Sequence, residues 1–365
     1  MTTLSLKIYN PCWQVDVAAD WGISAESVDL NTALEQPYSI AALPVMWNQI
    51  NNFAHRFDIP DIPVSQFDLI ILSDIECNPP EAIYNWFDPL KPQNYITALG
   101  SKSNVQPVDS TIMVYRPWWM YNLMRLNQFQ DTSSNDKPYL FDVLLGTRRP
   151  HRDFVMLTLQ KHSRLLENSI VNYRDVFTGG FVDKQSQSIA NLFTGIDLAW
   201  PYVSPNLKYE WEVTQNIEKN VSPFLPYEMY RRTWYTAVCE TLNTGSQFFL
   251  TEKTSKPLFA KRLFVMFSST HHLSNLKTLG FETFGDVIDE TYDQEEIDTT
   301  RYQMAFDQML SLSQQDPVKV LAKVAPILEH NHNRLWQLQQ ETQKEMKRLL
   351  LERIPAQYIK SIDLF

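Results

Sequence analysis

Glycine is scarce in this chain, nine in 365 residues, where an average composition carries roughly 7%. A phosphate-cradling glycine loop has little material to be built from. Neither G-x-G-x-x-G nor G-x-x-x-x-G-K-[ST] occurs, which argues against both glycine-rich phosphate-binding devices. Any phosphate site must use other means. Cysteine is equally sparse: Cys12, Cys77 and Cys239 are odd in number and form no C-x-x-C pair, which argues against a disulfide framework or a structural zinc site and for a reducing compartment. No stretch reaches the ~18 consecutive apolar residues of a membrane span. The opening MTTLSLKIYNPCWQVD has no apolar core of signal-peptide length. The expected location is therefore the cytoplasm, of a bacterium or of a virus's host. An excess of basic charge is also missing. With a net charge of −10 and a pI near 5.2, the chain has no global attraction for nucleic acid or an anionic membrane, although a local basic groove is not excluded by these totals.

What the chain does have is apolar material: 44% hydrophobic and 13% aromatic residues, enough for two cores of ordinary size. FDLIILS at 67–73 is a continuous apolar run that closes at SDIECNPP, as a buried parallel strand does. YITALG at 95–100 and TIMVY at 111–115 are further strand candidates. FQDTSSNDKPY, between about 128 and 138, has a linker's composition. Beyond it, YLFDVLLGTRRPHRDFVMLTLQKH reads as strand, basic turn and helix. TWYTAVCE reads as a strand, FFLTEKTSKPLFAKR as an aromatic run entering a helix at Thr251, LFVMFSS as a strand, and HHLSNLKTLGF as a short helix ended by Gly280. DQEEID at 293–298 reads as an acidic turn, and 316–352 as helix interrupted at Pro326. Such alternation predicts parallel sheets with helices on both faces. The expected domains are 1–132 (acceptor side), 133–340 (donor-binding, Rossmann-like) and a helical tail, 341–365, crossing back.

The densest chemistry is Glu240 with Thr251-Glu252-Lys253-Thr254-Ser255-Lys256-Pro257. Thr251 is a plausible N-cap, which puts Glu252 and Lys253 in a first turn whose N–H groups are free to receive a diphosphate. Lys253 and Lys256, three apart, share a face and add charge against a leaving pyrophosphate. Glu252 can accept from a ribose hydroxyl. The same string also reads as a capped surface helix with solvated charges.

The wider string YTAVCETLNTGSQFFLTEKTSKPLFAKRLFVMF resembles the donor-binding region of α-1,3-fucosyltransferase-like enzymes, over roughly residues 230–292. In that family an FEN-type segment precedes VTEK, a helix and a buried strand. The resemblance implies that Glu252 and Lys253 bind the nucleotide's ribose and phosphates and that Glu240 matches the upstream glutamate. Thr241 stands where the family has asparagine, and Lys261-Arg262 where glycine is usual. The resemblance therefore speaks for a nucleotide sugar more than for one particular sugar.

Arg148, Arg149, His151 and Arg152 sit on the turn after the strand that opens the second domain. There a guanidinium can grip phosphate with two hydrogen bonds, or the turn is merely solvated. Asp74 and Glu76 follow the 67–73 strand and are candidates for the base that deprotonates an acceptor hydroxyl, Glu76 first; each also reads as a turn cap. Asp74-Ile75-Glu76 reads alternatively as a D-x-D-like motif for Mg²⁺ or Mn²⁺, but the basic clusters already supply positive charge, so no metal is expected. His271-His272 and His330-x-His332 diverge on helices instead of converging on zinc. Trp118-Trp119-Met120-Tyr121 is a sugar platform or core packing, and Cys239 a buried strand residue.

The expectation is an α/β chain of two Rossmann-like domains facing across a cleft, the GT-B arrangement. It would transfer a sugar from a nucleotide diphosphate to a glycan or other hydroxyl acceptor, inverting and without metal, the donor being a co-substrate and no cofactor being required. Two rivals remain: a phage-type DNA base glycosyltransferase, disfavoured by the acidity, and a non-catalytic nucleotide-sugar-binding module of the same fold.

Overall fold

A computed structural model describes residues 6–10, 25–45, 62–74, 83, 87, 94–102, 112–146, 149–173, 192–193, 202–204 and 224–359. The chain divides into two compact units, Met1–Tyr121 with Gln337–Phe365, and Asn122–Trp336. The polar segment 128–138 lies within the second. There Lys137 Nζ donates to the carbonyls of Tyr230 (2.7 Å) and Thr233 (3.1 Å).

The first unit is built on a six-stranded sheet of β1 (Leu6–Tyr9), β2 (Ala25–Val28), β3 (Ile40–Val45), β4 (Leu69–Asp74), β5 (Tyr95–Leu99) and β7 (Ile112–Tyr115), in the order β2-β1-β3-β4-β5-β7, with the short β6 (Ser101–Lys102) outside it. Every pairing is parallel. Successive side chains on a strand point to opposite faces, and one face collects Ala41, Leu43, Ile70 and Leu72 with Phe67, Ile83 and Phe87 into a core. Each aliphatic side chain buried this way contributes about 1.5–3 kcal/mol. Helix α1 (Leu30–Leu34) is capped by Asp29, whose carboxylate accepts from Thr32 N at 3.0 Å. Helix α2 (Trp118–Leu126) follows β7. Its Met120 and Tyr121 are buried, while Trp118 and Trp119 are half-buried and meet edge to face at 4.9 Å.

The second unit's sheet runs β10-β9-β8-β11-β13, from β8 (Tyr139–Gly146), β9 (Ser169–Tyr173), β10 (Tyr202–Val203), β11 (Thr233–Cys239) and β13 (Phe264–Phe267), with the short β12 (Phe248–Phe249) outside it. Only β10 is antiparallel. From β8 the chain passes through α3 (Pro150–Lys161) and α4 (Ser163–Glu167) to β9 on one side. After α5 (Tyr227–Arg232) it returns as β11 on the other side. It continues through α6 (Glu252–Phe259) to β13, then α7 (His272–Thr278) and α8 (Asp298–Ser313). The strand order thus reverses between β8 and β11, and ligands of open α/β sheets bind outside the carboxyl ends of strands at such a point.

Both sheets agree with the expected α/β class. Two details differ. Helix α9 (Pro317–Arg353) runs unbroken through Pro326, since one lost backbone bond is offset by packing of the apolar stripe Val320, Val324, Leu335, Leu338 and Met346. Asp293 is more than part of an acidic turn: it is buried, and its carboxylate accepts from Leu273 N (2.7 Å), Ser274 N (2.9 Å) and Ser274 Oγ (2.7 Å), capping α7. Gly280, at φ +85°, ends that helix in the left-handed region. Among the described residues no helix is long and apolar enough to cross a membrane.

Candidate functional site

The carboxyl ends of β8 and β11 are joined by side chains from the first turn of α3. β8 ends at Gly146, whose φ of +59° favours glycine, and Arg152 Nη1 lies 3.8 Å from where a Cβ would stand. Arg149 then takes the N-cap place in extended conformation with no side-chain cap bond, and Pro150 fills the first helical position, where its missing N–H costs nothing. From the same turn His151 Nε2 donates to the Glu240 carbonyl at 2.8 Å, and Arg152 Nη2 to the Cys239 carbonyl at 3.3 Å. Because a carbonyl only accepts, Nε2 carries the imidazole proton.

His151 and Arg152 are both buried, at 0% and 4% exposure. Burial, together with Arg152, Arg149 and Lys253 nearby, holds the His151 imidazole well below its usual range and therefore neutral. Burial and the Arg149 charge lower Arg152 to about 10, so it stays cationic at neutral pH. The acidic residue of this turn, Asp153, is engaged by the Tyr173 hydroxyl. The positive end of α3 is therefore crowded by cations, the reverse of what a helix dipole favours. Fixed positive charge at a helix start is the electrostatic setting that suits an anion.

Glu240, fully buried at the end of β11, organises the neighbouring helix. One carboxylate oxygen accepts from Thr251 N (3.3 Å), Thr254 N (3.2 Å) and Thr254 Oγ1 (2.5 Å); the other accepts from Thr251 Oγ1 (2.6 Å) and Thr241 N (2.9 Å). Thr251 is the N-cap of α6, its hydroxyl accepting from Lys253 N at 3.2 Å. Two expectations change here. The amides of Lys253 and Thr254, expected to receive a diphosphate, are already bonded inside the protein. Glu240, expected to touch the donor, has its oxygens committed to α6 and to Thr241.

The side chains of that turn remain. Lys253 Nζ, on a side chain 28% exposed, donates to Glu252 Oε1 (2.8 Å) and Thr241 Oγ1 (3.2 Å). Burial opposes ionisation of Glu252, but Lys253 and Lys256 outweigh it and hold its carboxyl below the usual range. Lys256 is half-buried. Arg149, Arg152, Lys253 and Lys256 thus lie around two carboxylates, Glu240 and Glu252, with Asp153 of the same α3 turn engaged by Tyr173.

Of the other expected residues, Arg148 and Glu76 lie outside the described residues. Asp74 is fully buried at the end of β4 and accepts from Gly100 N at 3.3 Å, which uses part of its carboxylate within the fold. Burial pushes the Cys239 thiol up to about 12. His272, His330 and His332 each meet a different partner: Thr254 Oγ1, the Gly280 carbonyl and the Phe259 carbonyl. Among the described residues no group of three or more His, Cys, Asp or Glu is placed to hold a metal ion.

Arg301 was missed by the sequence reading. It is 2% exposed, and its guanidinium donates to the carbonyls of Ser268 (3.0 Å), Glu295 (2.6 Å) and Asn243 (2.9 Å) and pairs with Asp298. Its partners at Ser268 and Asn243 lie 33 and 58 residues away in the chain, so no local pattern announces it. Comparisons of the chain with family models, curated proteins and solved structures find no match.

Proposed function

We propose that the chain is a glycosyltransferase that binds a nucleotide-diphosphate sugar at the carboxyl edge of the second unit's sheet and transfers the sugar to a hydroxyl acceptor. The observation that carries this reading is the meeting, at the strand-order reversal between β8 and β11, of an uncapped helix start with Arg149, Arg152, Lys253 and Lys256. Such a place suits a diphosphate. Glu252, held as a carboxylate beside them, suits a ribose hydroxyl.

In this reading the fixed cations stabilise negative charge as it grows on the departing diphosphate, which is electrostatic catalysis from a preorganised site. They do so without a divalent cation. The neutral His151 contributes no charge; it ties the basic turn to the end of β11. On this reading the domains are of the GT-B type and the first unit carries the acceptor, with Glu76 as the base for an inverting transfer and Asp74 holding the strand-end loop. The free, buried Cys239 suits work in a reducing cytoplasm.

The test is release of nucleoside diphosphate from a panel of nucleotide sugars, with simple glycosides or glucosylatable DNA as acceptors, in excess EDTA. Turnover is expected, and Lys253→Ala should lower it about 10²-fold, the scale of one lost charge-stabilising donor. Activity lost in EDTA and restored by Mn²⁺ would favour the metal-dependent alternative. Donor binding without release would identify a binding module, and salt-dependent transfer to DNA the phage-type rival.

A further inference from the structure

Three segments of the second unit come together at the start of α8: the segment after β11, the segment after β13, and the approach to α8 itself. One side chain is bonded to all three. Arg301 Nη2 reaches the Asn243 carbonyl, Nε the Ser268 carbonyl and Nη1 the Glu295 carbonyl, while Asp298 holds the fork from its own helix. The next residue, Tyr302, repeats the connection: its hydroxyl donates to the Asn243 carbonyl at 2.7 Å and accepts from Asn243 Nδ2 at 3.1 Å. Its ring lies 6.1 Å from that of His151.

Asn243 is two residues beyond Thr241, which receives Lys253 Nζ and whose N–H meets Glu240. The placement of Lys253 therefore depends on the loop that Arg301 pins. A buried guanidinium satisfied by three carbonyls and a carboxylate is a fixed fork, and its geometry is not reproduced by a single ammonium.

We infer that Arg301 is a positioning residue for the diphosphate site: it sets the loop after β11, and through Thr241 the direction of the Lys253 ammonium, without touching ligand. This inference rests on the diphosphate reading above. A misplacement of about 1 Å at such a site is worth up to about 10²-fold in turnover, so an altered fork is felt in binding and rate before it is felt in folding.

The experiment compares the full chain with Arg301→Lys and Arg301→Ala by titration with GDP, UDP, ADP, CDP and dTDP, together with melting temperatures and amide hydrogen exchange. Wild type should bind at least one diphosphate. Arg301→Lys should bind it at least about tenfold more weakly while the amides of 241–250 and 268–271 exchange faster and those of β8 and β11 do not. Millimolar guanidinium should restore part of the affinity of Arg301→Ala, an effect that a general loss of stability does not produce. Should either variant fail to fold, Asp298→Asn, which removes only the carboxylate orienting the fork, takes its place with a smaller loss expected in the same direction. Unchanged affinity and unchanged loop exchange in the folded variants overturn the inference. A wild type that binds none of the five diphosphates overturns the diphosphate reading itself and this inference with it.

Discussion

Replacing Glu240 by glutamine keeps the shape of the side chain and changes its chemistry, so it isolates what the carboxylate does. Five donors converge on its two oxygens, three on one and two on the other. An amide offers one acceptor atom, and its NH₂ must then face donors on the other side. In the better orientation the NH₂ replaces the oxygen bonded to Thr251 Oγ1 and Thr241 N; the hydroxyl can turn to accept, but the Thr241 N–H is left facing a donor. One stranded buried donor costs about 1–3 kcal/mol, and the remaining bonds weaken from charge-assisted to neutral strength. A total of about 2–4 kcal/mol follows on the same scale. For a unit of this length each kcal/mol is worth about 2–4 °C, so Glu240→Gln should lower the melting temperature by about 4–16 °C. Because two units need not melt in one transition, the readout should pair calorimetry with exchange of the amides of residues 251–255, which ought to lose protection first. A variant melting within about 1 °C of wild type, with those amides still protected, would refute the view that Glu240 organises α6.

Other substitutions probe separate parts of the second unit. Gly280→Ala forces a side chain at φ +85° with its Cβ 2.7 Å from Arg334 Nε, whose bond to the Leu279 carbonyl must shift; a loss of about 1.5–3 kcal/mol is expected in denaturant unfolding. Arg262→Met strands the buried Asp142, which now receives Arg262 Nη2 at 2.7 Å, and should cost about 3–5 kcal/mol, with Asp142→Asn in the same background recovering part of it. No recovery would mean that the ion pair is not what the substitution breaks. Lys137, which burial and the nearby Arg262 charge lower to about 8, sheds its proton in the folded chain before the unfolded one, whose lysines titrate near ~10.4. Between these values the unfolded state holds more protons, so stability rises with pH. The melting-temperature advantage of wild type over Lys137→Met should therefore grow from pH 8 to pH 10, and a constant or shrinking gap would show that the ammonium is not perturbed.

Much of the scaffold was legible because parallel strands buried on both faces read as apolar runs. FDLIILS, YITALG and LFVMFSS announced β4, β5 and β13, and Thr251 and Gly280 marked helix ends by their cap chemistry. The strands LKIY and AESV of β1 and β2 were not read; each is four residues long without an apolar run, and pairing partners from elsewhere in the chain decide their state. The basic turn and the Glu-Lys pair were legible as residue types. Their use was not. Whether Glu240 meets a ligand or a helix depends on where Thr251 and Thr254 fall in space, and Asp293 and Arg301 reach an amide 20 residues away and carbonyls 33 and 58 residues away. The sequence pattern points to the amides of α6 together with the side chains of Arg149, Arg152, Lys253 and Lys256; of these, the amides of Lys253 and Thr254 are bonded within the protein.

The most direct test of the central claim is calorimetric titration of wild type and Lys253→Ala with nucleoside diphosphates and with inorganic pyrophosphate, at two salt concentrations and in EDTA. Lys253 is partly exposed but bonds the buried Glu252, so its removal should lower the melting temperature by no more than a few degrees, about 2–4 °C per kcal/mol lost. The account predicts that wild type binds a diphosphate without metal, more weakly at higher salt, and that Lys253→Ala loses at least about tenfold in affinity, the scale of one lost charge-assisted contact. Equal binding by both proteins, or no binding by either, would contradict it.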